Sequence, residues 1–214
     1  MSGAIQKPCI LLGEGPGEVS FFTALLDDMG LSDRVEVIEY GGKNSLRNTL
    51  QDLPNRSGFT ATAQKIAITR DADENSNSAG QSVEDAVSVA PQEIRDRYCG
   101  KFILPDNARP GALEALWLDS LAESPYAQCV NEFFTCLELK GWRSPSLVAK
   151  KDKARAQVFL ATTEAPDERF RHAVQKSRTF TDNSGASVKW FDFDHPAFAA
   201  LKQFLRDAFV SSPE

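Results

Sequence analysis

The stretch Ile66-Ala-Ile-Thr-Arg-Asp-Ala-Asp73 decides the fold of this 214-residue chain. Its first half is a short apolar run without strict alternation, which is typical of a strand buried on both faces of a parallel sheet. Asp71 and Asp73 follow, and ligands of open α/β sheets bind just outside the carboxyl ends of the strands. Side chains at i and i+2 of an extended strand share one face. The sequence therefore predicts that both carboxylates face one site, where a hard cation such as Mg²⁺ suits carboxylate oxygens.

A second interpretation of these residues is structural. Asp71-Ala-Asp-Glu-Asn75 also fits a polar turn in which an aspartate caps the next helix. Residues 75–80 are small and polar, which predicts a loop there. The remainder of the chain has to decide between a cation site and a turn.

Composition indicates one soluble globular domain, alone or with an elaboration. Hydrophobic residues make up 42% of the chain and charged residues 25%, which are ordinary values. No apolar run approaches the ~18 residues that a membrane span needs, and no secretory signal pattern is visible. We therefore expect a cytoplasmic protein without a membrane partner. The cysteines lack C-x-x-C spacing, which argues against a zinc cluster; they are Cys9, Cys99, Cys129 and Cys136.

Charge is unevenly distributed along the chain, whose net charge is −6. Residues 1–138 contain 11 Lys/Arg and 21 Asp/Glu, whereas residues 139–190 contain 11 Lys/Arg and 5 Asp/Glu. An acidic body with a basic segment suits a protein that binds cations in one place and phosphates in another. A surface rich in ion pairs would have the same pattern.

A glycine-rich turn follows the first predicted strand. Residues 9–12 are apolar, Gly13-Glu-Gly-Pro-Gly17 comes next, and apolar residues then recur at helical spacing. This order of strand, turn and helix opens an α/β unit. Glu14 stands at the strand end, as Asp71 does. Glu18 begins the helix, where it serves either as a ligand or as a negative charge at the positive end of the helix dipole.

The pattern of the whole chain predicts an α/β fold with a central, mainly parallel sheet flanked by helices. Four strands are expected, near residues 8–13, 34–40, 64–70 and 101–105. We expect residues 1–125 to form the α/β core and residues 126–214 to form a mainly helical C-terminal elaboration packed on it as one compact unit.

Further charged residues fall on predicted loops and helices. Lys43 lies in the loop after the second strand, where it can meet a phosphate or remain solvated. Glu114 lies in a helix among Leu113, Leu116 and Trp117, as a ligand or as part of the helix's polar stripe. A helix over residues 145–160 carries four cations that would spread over roughly 200° of its circumference, so they cannot all face one ligand. These cations are Lys150, Lys151, Lys153 and Arg155.

Together these motifs resemble a Toprim domain, the metal-binding module of topoisomerases, bacterial primases and several nucleases. The resemblance rests on Glu14-Gly15 after the first strand, Asp71-Ala-Asp73 after a later one, and Gly111-x-x-Glu114 beyond the next. The resemblance covers residues 8–160. Within the family, the chain is similar above all to small standalone proteins related to the Toprim part of the overcoming-lysogenization-defect (OLD) nucleases. The fold implied is Toprim-like, which is a Rossmann-like arrangement.

The resemblance implies a metal-dependent nuclease that hydrolyses phosphodiester bonds with Mg²⁺ or Mn²⁺. The implied metal ligands are Glu14, Glu18, Asp71, Asp73 and Glu114. The implied catalytic residues are Glu14, Asp71, Asp73 and Lys153. Lys150 and Lys151 are alternatives to Lys153 as the site lysine, and Lys43, Lys150, Lys151 and Arg155 are candidate nucleic-acid contacts. DNA is expected as partner rather than RNA, and no ATPase segment is present, so an ATPase partner would be a separate chain.

The sequence departs from the Toprim pattern at one point. Many Toprim enzymes have a third aspartate shortly after the Asp-x-Asp pair, and here Glu74 and Asn75 occupy those positions. This departure motivates a second hypothesis, a non-catalytic, metal-dependent nucleic-acid-binding or regulatory protein that acts with an ATPase. A nucleotide-handling phosphotransfer enzyme is a third class, but no phosphate-loop lysine follows the 13–17 turn.

Overall fold

The computed structural model describes residues 3–141, 148–161, 179–181, 187–189 and 191–210. Its centre is a parallel sheet of four strands in the order β2-β1-β3-β4. The predicted α/β fold, with a parallel four-stranded sheet flanked by helices, is confirmed. The strands are β1 (Cys9–Gly13), β2 (Val35–Glu39), β3 (Lys65–Asp71) and β4 (Tyr98–Leu104).

The strands are buried on both faces because their apolar runs do not alternate with polar residues. In β1, Cys9 and Leu11 pack into the hydrophobic cluster on one face of the sheet, whereas Ile10 and Leu12 pack into the cluster on the other. The alternation in β3 puts Asp71 on the same face as Ala67. Side-chain parity therefore assigns Asp71 to the face that the C-terminal helices cover.

Helices connect and flank these strands. The N-terminal part contains α1 (Pro16–Asp28), α2 (Leu46–Asp52), α3 (Phe59–Thr62), α4 (Ser76–Ser88) and α5 (Gln92–Arg95). The C-terminal part contains α6 (Leu113–Ser120), α7 (Pro125–Leu139), α8 (Val148–Ala161) and α9 (Ala199–Phe209). Two short strands, β5 (Thr179–Thr181) and β6 (Ser187–Lys189), form a separate antiparallel sheet.

The loop expected over residues 75–80 is wrong, because α4 begins at Ser76. Asn75 is its N-cap, and the side-chain oxygen of Asn75 accepts a hydrogen bond from the Ser78 amide over 2.9 Å. Small polar residues can therefore begin a helix when the first of them supplies a cap. The cap is also an asparagine, so neither Asp71 nor Asp73 has the capping role considered above.

Aromatic residues from the C-terminal part fill the core over the sheet face that carries Asp71. Trp117 of α6 packs edge-on against Phe159 of α8 and stacks on Phe191, with ring centroids 5.4 Å apart in both pairs. The start of α6 and Lys153 of α8 also contact Asp71, the last residue of β3. The division at residue 125 stays a prediction. Within the described ranges, no helix combines the length and apolar character of a membrane span.

The strand order creates a topological switch point between β1 and β3. The chain leaves β1 toward β2 on one side and later crosses to β3 on the other, so the connections diverge there. Open α/β sheets bind ligands in the crevice outside the carboxyl ends of such strands. Leu12 of β1 pairs in register with Ile68 of β3, so Glu14 and Asp71 emerge from adjacent strands at this crevice.

Candidate metal and phosphate site

A cavity of about 400 Å³ opens at the switch point and is lined by acidic side chains. We call it the carboxylate cavity. Five carboxylates line it together with one ammonium group. They are Glu14, Glu18, Glu39, Asp71 and Glu114, with Lys153.

Asp71 is anchored at the floor of this cavity and is almost fully buried. Its Oδ1 accepts a hydrogen bond from the Leu113 amide at the start of α6 over 3.0 Å. Its Oδ2 lies 3.5 Å from Nζ of Lys153. The buried Asp71 carboxylate at the end of β3 is therefore stabilised by the positive end of α6 and by Lys153.

Gly13 and Gly15 lie next to the Glu18 side chain, and Glu14 stands between these two glycines. The Glu18 carboxylate folds back and accepts a hydrogen bond from the Gly15 amide over 3.0 Å, and it caps the start of α1. A Cβ on Gly13 would lie 3.1 Å from that of Glu18, so a larger residue would crowd it. Oε2 of Glu14 is buried and has no hydrogen-bond partner among the described residues.

Burial and mutual repulsion favour the protonated form of these acids. Burial raises the pKa of Asp71, Glu18 raises it further, and Lys153 opposes the rise. Burial also raises the pKa of Glu18, with Glu114 and Glu14 adding to the effect. Burial raises the pKa of Glu114 to about 7, against the opposing attraction of Lys153. Lys153 offsets only part of the repulsion among these carboxylates. A bound metal cation would offset the rest.

Lys153 is the member of the basic helix that reaches the cavity. Burial lowers the pKa of Lys153, but Glu114 and Asp71 raise it more, so the ammonium form is favoured. Lys151 instead forms an ion pair with Glu138, and the Arg155 guanidinium lies 5.8 Å from the centroid of the Phe134 ring. Lys150 is exposed. The structure thus separates these cations, as the helical spacing predicted.

Asp73 does not line the carboxylate cavity. β3 ends at Asp71, and Asp73 has a φ of 52°, so the side-chain alternation of an extended strand no longer applies to it. Its carboxylate is 44% exposed and lies 3.6 Å from Nζ of Lys43. The expectation that Asp71 and Asp73 share a face is therefore wrong. Lys43 and Asp73 form an ion pair outside the cavity, next to Gly42, which lines it, and we call this pair the rim.

Gly111 ties this rim to the start of α6. Gly111 and Asp73 exchange two backbone hydrogen bonds, each of 2.9 Å. The φ of Gly111 is 141°, and a Cβ there would meet Pro105 and Ala115 at 3.2 Å. Only glycine fits at this position without strain. The Gly111-x-x-Glu114 spacing therefore carries Glu114 into the cavity from the first turn of α6.

The sequence analysis missed Glu39. This residue ends β2 as Glu14 follows β1, and it lines the same cavity. The rule that applied to Glu14 and Asp71, an acid at the carboxyl end of a strand, would have identified it. Glu39 is the last residue of an alternating, half-exposed strand, where a charged side chain is also typical of a solvent-facing position.

The donor set suits a divalent cation, but the side chains are not arranged around one. Hard cations prefer carboxylate oxygens, and the unpartnered Glu14 oxygen is such a donor. Across the described ranges, however, no group of three Asp, Glu, His or Cys side chains could hold an ion as it stands. Binding therefore requires flexible glutamates of the cavity to change rotamer.

Comparison with known proteins gives a family and one structural likeness. The family model described as "Protein of unknown function (DUF3226)" matches residues 8–210. Among solved structures, the chain is similar to the C-terminal region of the Xanthomonas campestris pv. campestris OLD protein, with 15% identity and a TM-score of 0.42. That likeness covers 92% of this chain and 94% of the other. Comparison with curated proteins gave no match.

Proposed function

The chain belongs to the DUF3226 family, and we propose that it is a metal-dependent nuclease of the Toprim type. One observation carries the proposal: five carboxylates and one lysine line a cavity at the topological switch point. When all are ionised, the lining is strongly negative and would repel a phosphodiester. A phosphate can approach such a surface when cations neutralise it.

Glu14 and Asp71 would hold the ion, with Glu18, Glu39 and Glu114 as further donors. The bound Mg²⁺ or Mn²⁺ would supply Lewis acidity and a nucleophilic water for phosphodiester hydrolysis. Asp73 is placed to join only if its rim segment moves inward, because its carboxylate now pairs with Lys43.

Two side chains of the cavity are suited to assist the hydrolysis. The ammonium of Lys153 would stabilise negative charge that develops on the phosphate. Glu114 lines the same cavity, and where the ion leaves it uncoordinated its carboxylate could accept a proton from the attacking water. The exposed Lys150 and the rim residue Lys43 would contact the nucleic-acid backbone, with DNA as the first substrate to examine.

The direct test is cleavage of plasmid and single-stranded DNA by purified protein in Mg²⁺ or Mn²⁺. The wild type is expected to cleave, whereas EDTA and the Glu14→Gln variant abolish cleavage. Activity that survives Glu14→Gln would identify a contaminating nuclease. No cleavage by the wild type with either ion, alone and with candidate ATPase partners, would contradict the proposal.

A second candidate function is metal-dependent binding of nucleic acid without hydrolysis. It is favoured by the position of Asp73 outside the cavity and by the absence, in the described part of the chain, of a preformed three-ligand cluster. A regulatory protein that acts with a separate ATPase would fit this description. Metal-dependent retention of labelled DNA, with no product after long incubation, would favour it.

A further inference from the structure

A second cavity lies beside the carboxylate cavity and has no role in the site described above. Its volume is about 450 Å³, which is within the range of small-molecule pockets. Residues of α6, α7 and α8 and of the adjoining loops line it. Its apolar walls include Ala115, Leu118, Ala127 and Val130. We call it the helix cavity.

The charges of the helix cavity balance, unlike those of the carboxylate cavity. Two arginines, two aspartates and one asparagine line it, namely Arg109, Arg155, Asp119, Asp152 and Asn131. Arg109 is committed to ion pairs with Asp106 and Asp119. A phosphate would meet two carboxylates here, so the lining does not select an anion. A neutral, planar group with hydrogen-bonding edges fits the lining better.

The Arg155 side chain contributes a buried donor to the wall. Nε of Arg155 is buried and makes no hydrogen bond within the described residues, although the Phe134 ring supports the guanidinium. A buried donor without an acceptor is destabilising. Nε itself is closed off from the cavity, but Arg155 lines the cavity, and the terminal N–H groups of its guanidinium can donate to a ligand acceptor. Asn131 is exposed on α7, and its amide offers a donor and an acceptor to the same ligand.

The two cavities share their walls. On α6, Glu114 lines the carboxylate cavity and Ala115 lines the helix cavity. On α8, Lys153 lines the first, whereas Asp152 and Arg155 line the second. Neighbouring residues of two helices therefore contribute to both cavities, so the cavities adjoin across α6 and α8. A strand whose phosphate lies at Lys153 could place a neighbouring base in the helix cavity.

We propose that the helix cavity binds an unpaired nucleobase of the substrate, next to the phosphate bound in the carboxylate cavity. This proposal rests on the proposed nuclease function and adds a substrate class, single-stranded nucleic acid. Apolar side chains of the walls cover the faces of the base, as in other proteins that bind extruded or single-stranded bases. Asn131 and Arg155 contact its edge.

Uncharged nucleosides test the cavity without the metal site. Adenosine, guanosine, cytidine and thymidine are titrated into the ¹⁵N-labelled protein in EDTA, with inorganic pyrophosphate as the anionic probe. At least one nucleoside is expected to shift amide signals of α6 and α7, and pyrophosphate is expected to leave them unchanged. Shifts caused by pyrophosphate alone, or by none of the probes, would overturn the proposal.

Two variants locate the binding. Asn131→Ala should weaken nucleoside binding roughly two- to tenfold, the value of one hydrogen bond. Gln128→Ala is the matched control, because Gln128 is an exposed amide one turn earlier on α7 that does not line the cavity. Ala122→Trp fills the cavity from an exposed position and should abolish binding without lowering the melting temperature. Equal binding by all three variants would contradict the assignment.

Cleavage of matched oligonucleotides separates this proposal from the nuclease function. If both hold, a single strand is cut about tenfold or more faster than its duplex, because pairing must be broken before a base can enter. Ala122→Trp removes that preference. Equal cleavage of both forms by the wild type would refute the base site and leave the nuclease function standing. Nucleoside binding without any cleavage would support the base site and contradict the nuclease function.

Discussion

Asp71 and Asp73 stand two positions apart in the chain, yet they lie in opposite environments. Asp71 is almost fully buried, is bonded to the amide of Leu113 and lies beside Lys153. Asp73 is half-exposed and pairs with Lys43, which is also largely exposed. The difference arises where β3 ends between them. Two identical side chains therefore differ in solvation and in what their substitution should change.

The largest expected effect separates these two aspartates in the cleavage assay. Asp71→Asn should reduce Mn²⁺-dependent cleavage by about 10²-fold or more, since it removes a charge from the centre of the site. Asp73→Asn should reduce cleavage about tenfold or less. Single-turnover rates of both variants, at saturating Mn²⁺, check this order. If Asp73→Asn is the more damaging change, the rim segment moves into the site and the distinction drawn above is incorrect.

Lys153 should show the next largest effect. Lys153→Met removes the ammonium group that lies beside Asp71, and it should lower kcat about 10²-fold by loss of charge stabilisation. Lys150→Met is the matched control, because Lys150 lies on the same helix and is exposed. Measuring kcat and KM for both variants distinguishes a role in the reaction from general attraction of DNA. Equal losses of kcat in the two variants would show that Lys153 has no specific role in the reaction.

The buried acids predict an unusual pH dependence of stability in the metal-free protein. The pKa of Glu114 rises from 4.5 to about 7 on folding, so the folded state binds the proton more tightly than the unfolded state. The stabilisation is complete below pH 4.5 and is lost as the pH rises through 7. The loss is of order 1–3 kcal/mol.

Urea unfolding in EDTA between pH 5 and pH 8 measures the contribution of Glu114 to stability. The difference in unfolding free energy between the wild type and Glu114→Gln should change across that range in the predicted direction. Asp73→Asn serves as the control and should parallel the wild type. A Glu114→Gln difference that is constant with pH would show that Glu114 does not titrate abnormally.

The rim pair should have the smallest effect. Both side chains are largely solvent-exposed, and exposed ion pairs contribute about 0.2–1 kcal/mol. Lys43→Met is therefore expected to change the unfolding free energy by less than about 1 kcal/mol and to weaken DNA binding only at low salt. Urea unfolding and binding at two salt concentrations check both points. A large loss of stability would show that the rim is part of the core.

The strands and the order of acidic residues could be predicted from the sequence because both depend on local patterns. Apolar runs predicted all four strands within a few residues of their bounds, since burial on both faces leaves little room for polar side chains. Strand-end positions also brought Glu14 and Asp71 to one cavity. These inferences need only chain direction and the rule for parallel sheets.

Other features of the site depend on contacts that no local pattern contains. The orientation of Asp73 depends on a positive φ and on its bridge to Gly111, which lies 38 positions later in the chain. The choice of Lys153 over Lys150 and Lys151 depends on how α8 packs against α6, since this packing brings Lys153 to Asp71. The helix cavity arises only when three helices from the C-terminal part meet.

The central claim, that the carboxylate cavity binds a divalent cation, is tested most directly by Mn²⁺ titration. The electron paramagnetic resonance signal of free Mn²⁺ reports binding to the wild type, Asp71→Asn, Glu14→Gln and Asp73→Asn at neutral pH. We predict that the wild type and Asp73→Asn bind Mn²⁺, whereas Asp71→Asn and Glu14→Gln lose that binding while remaining folded. Absence of Mn²⁺ binding by the wild type, or unchanged binding by Asp71→Asn, would contradict the claim.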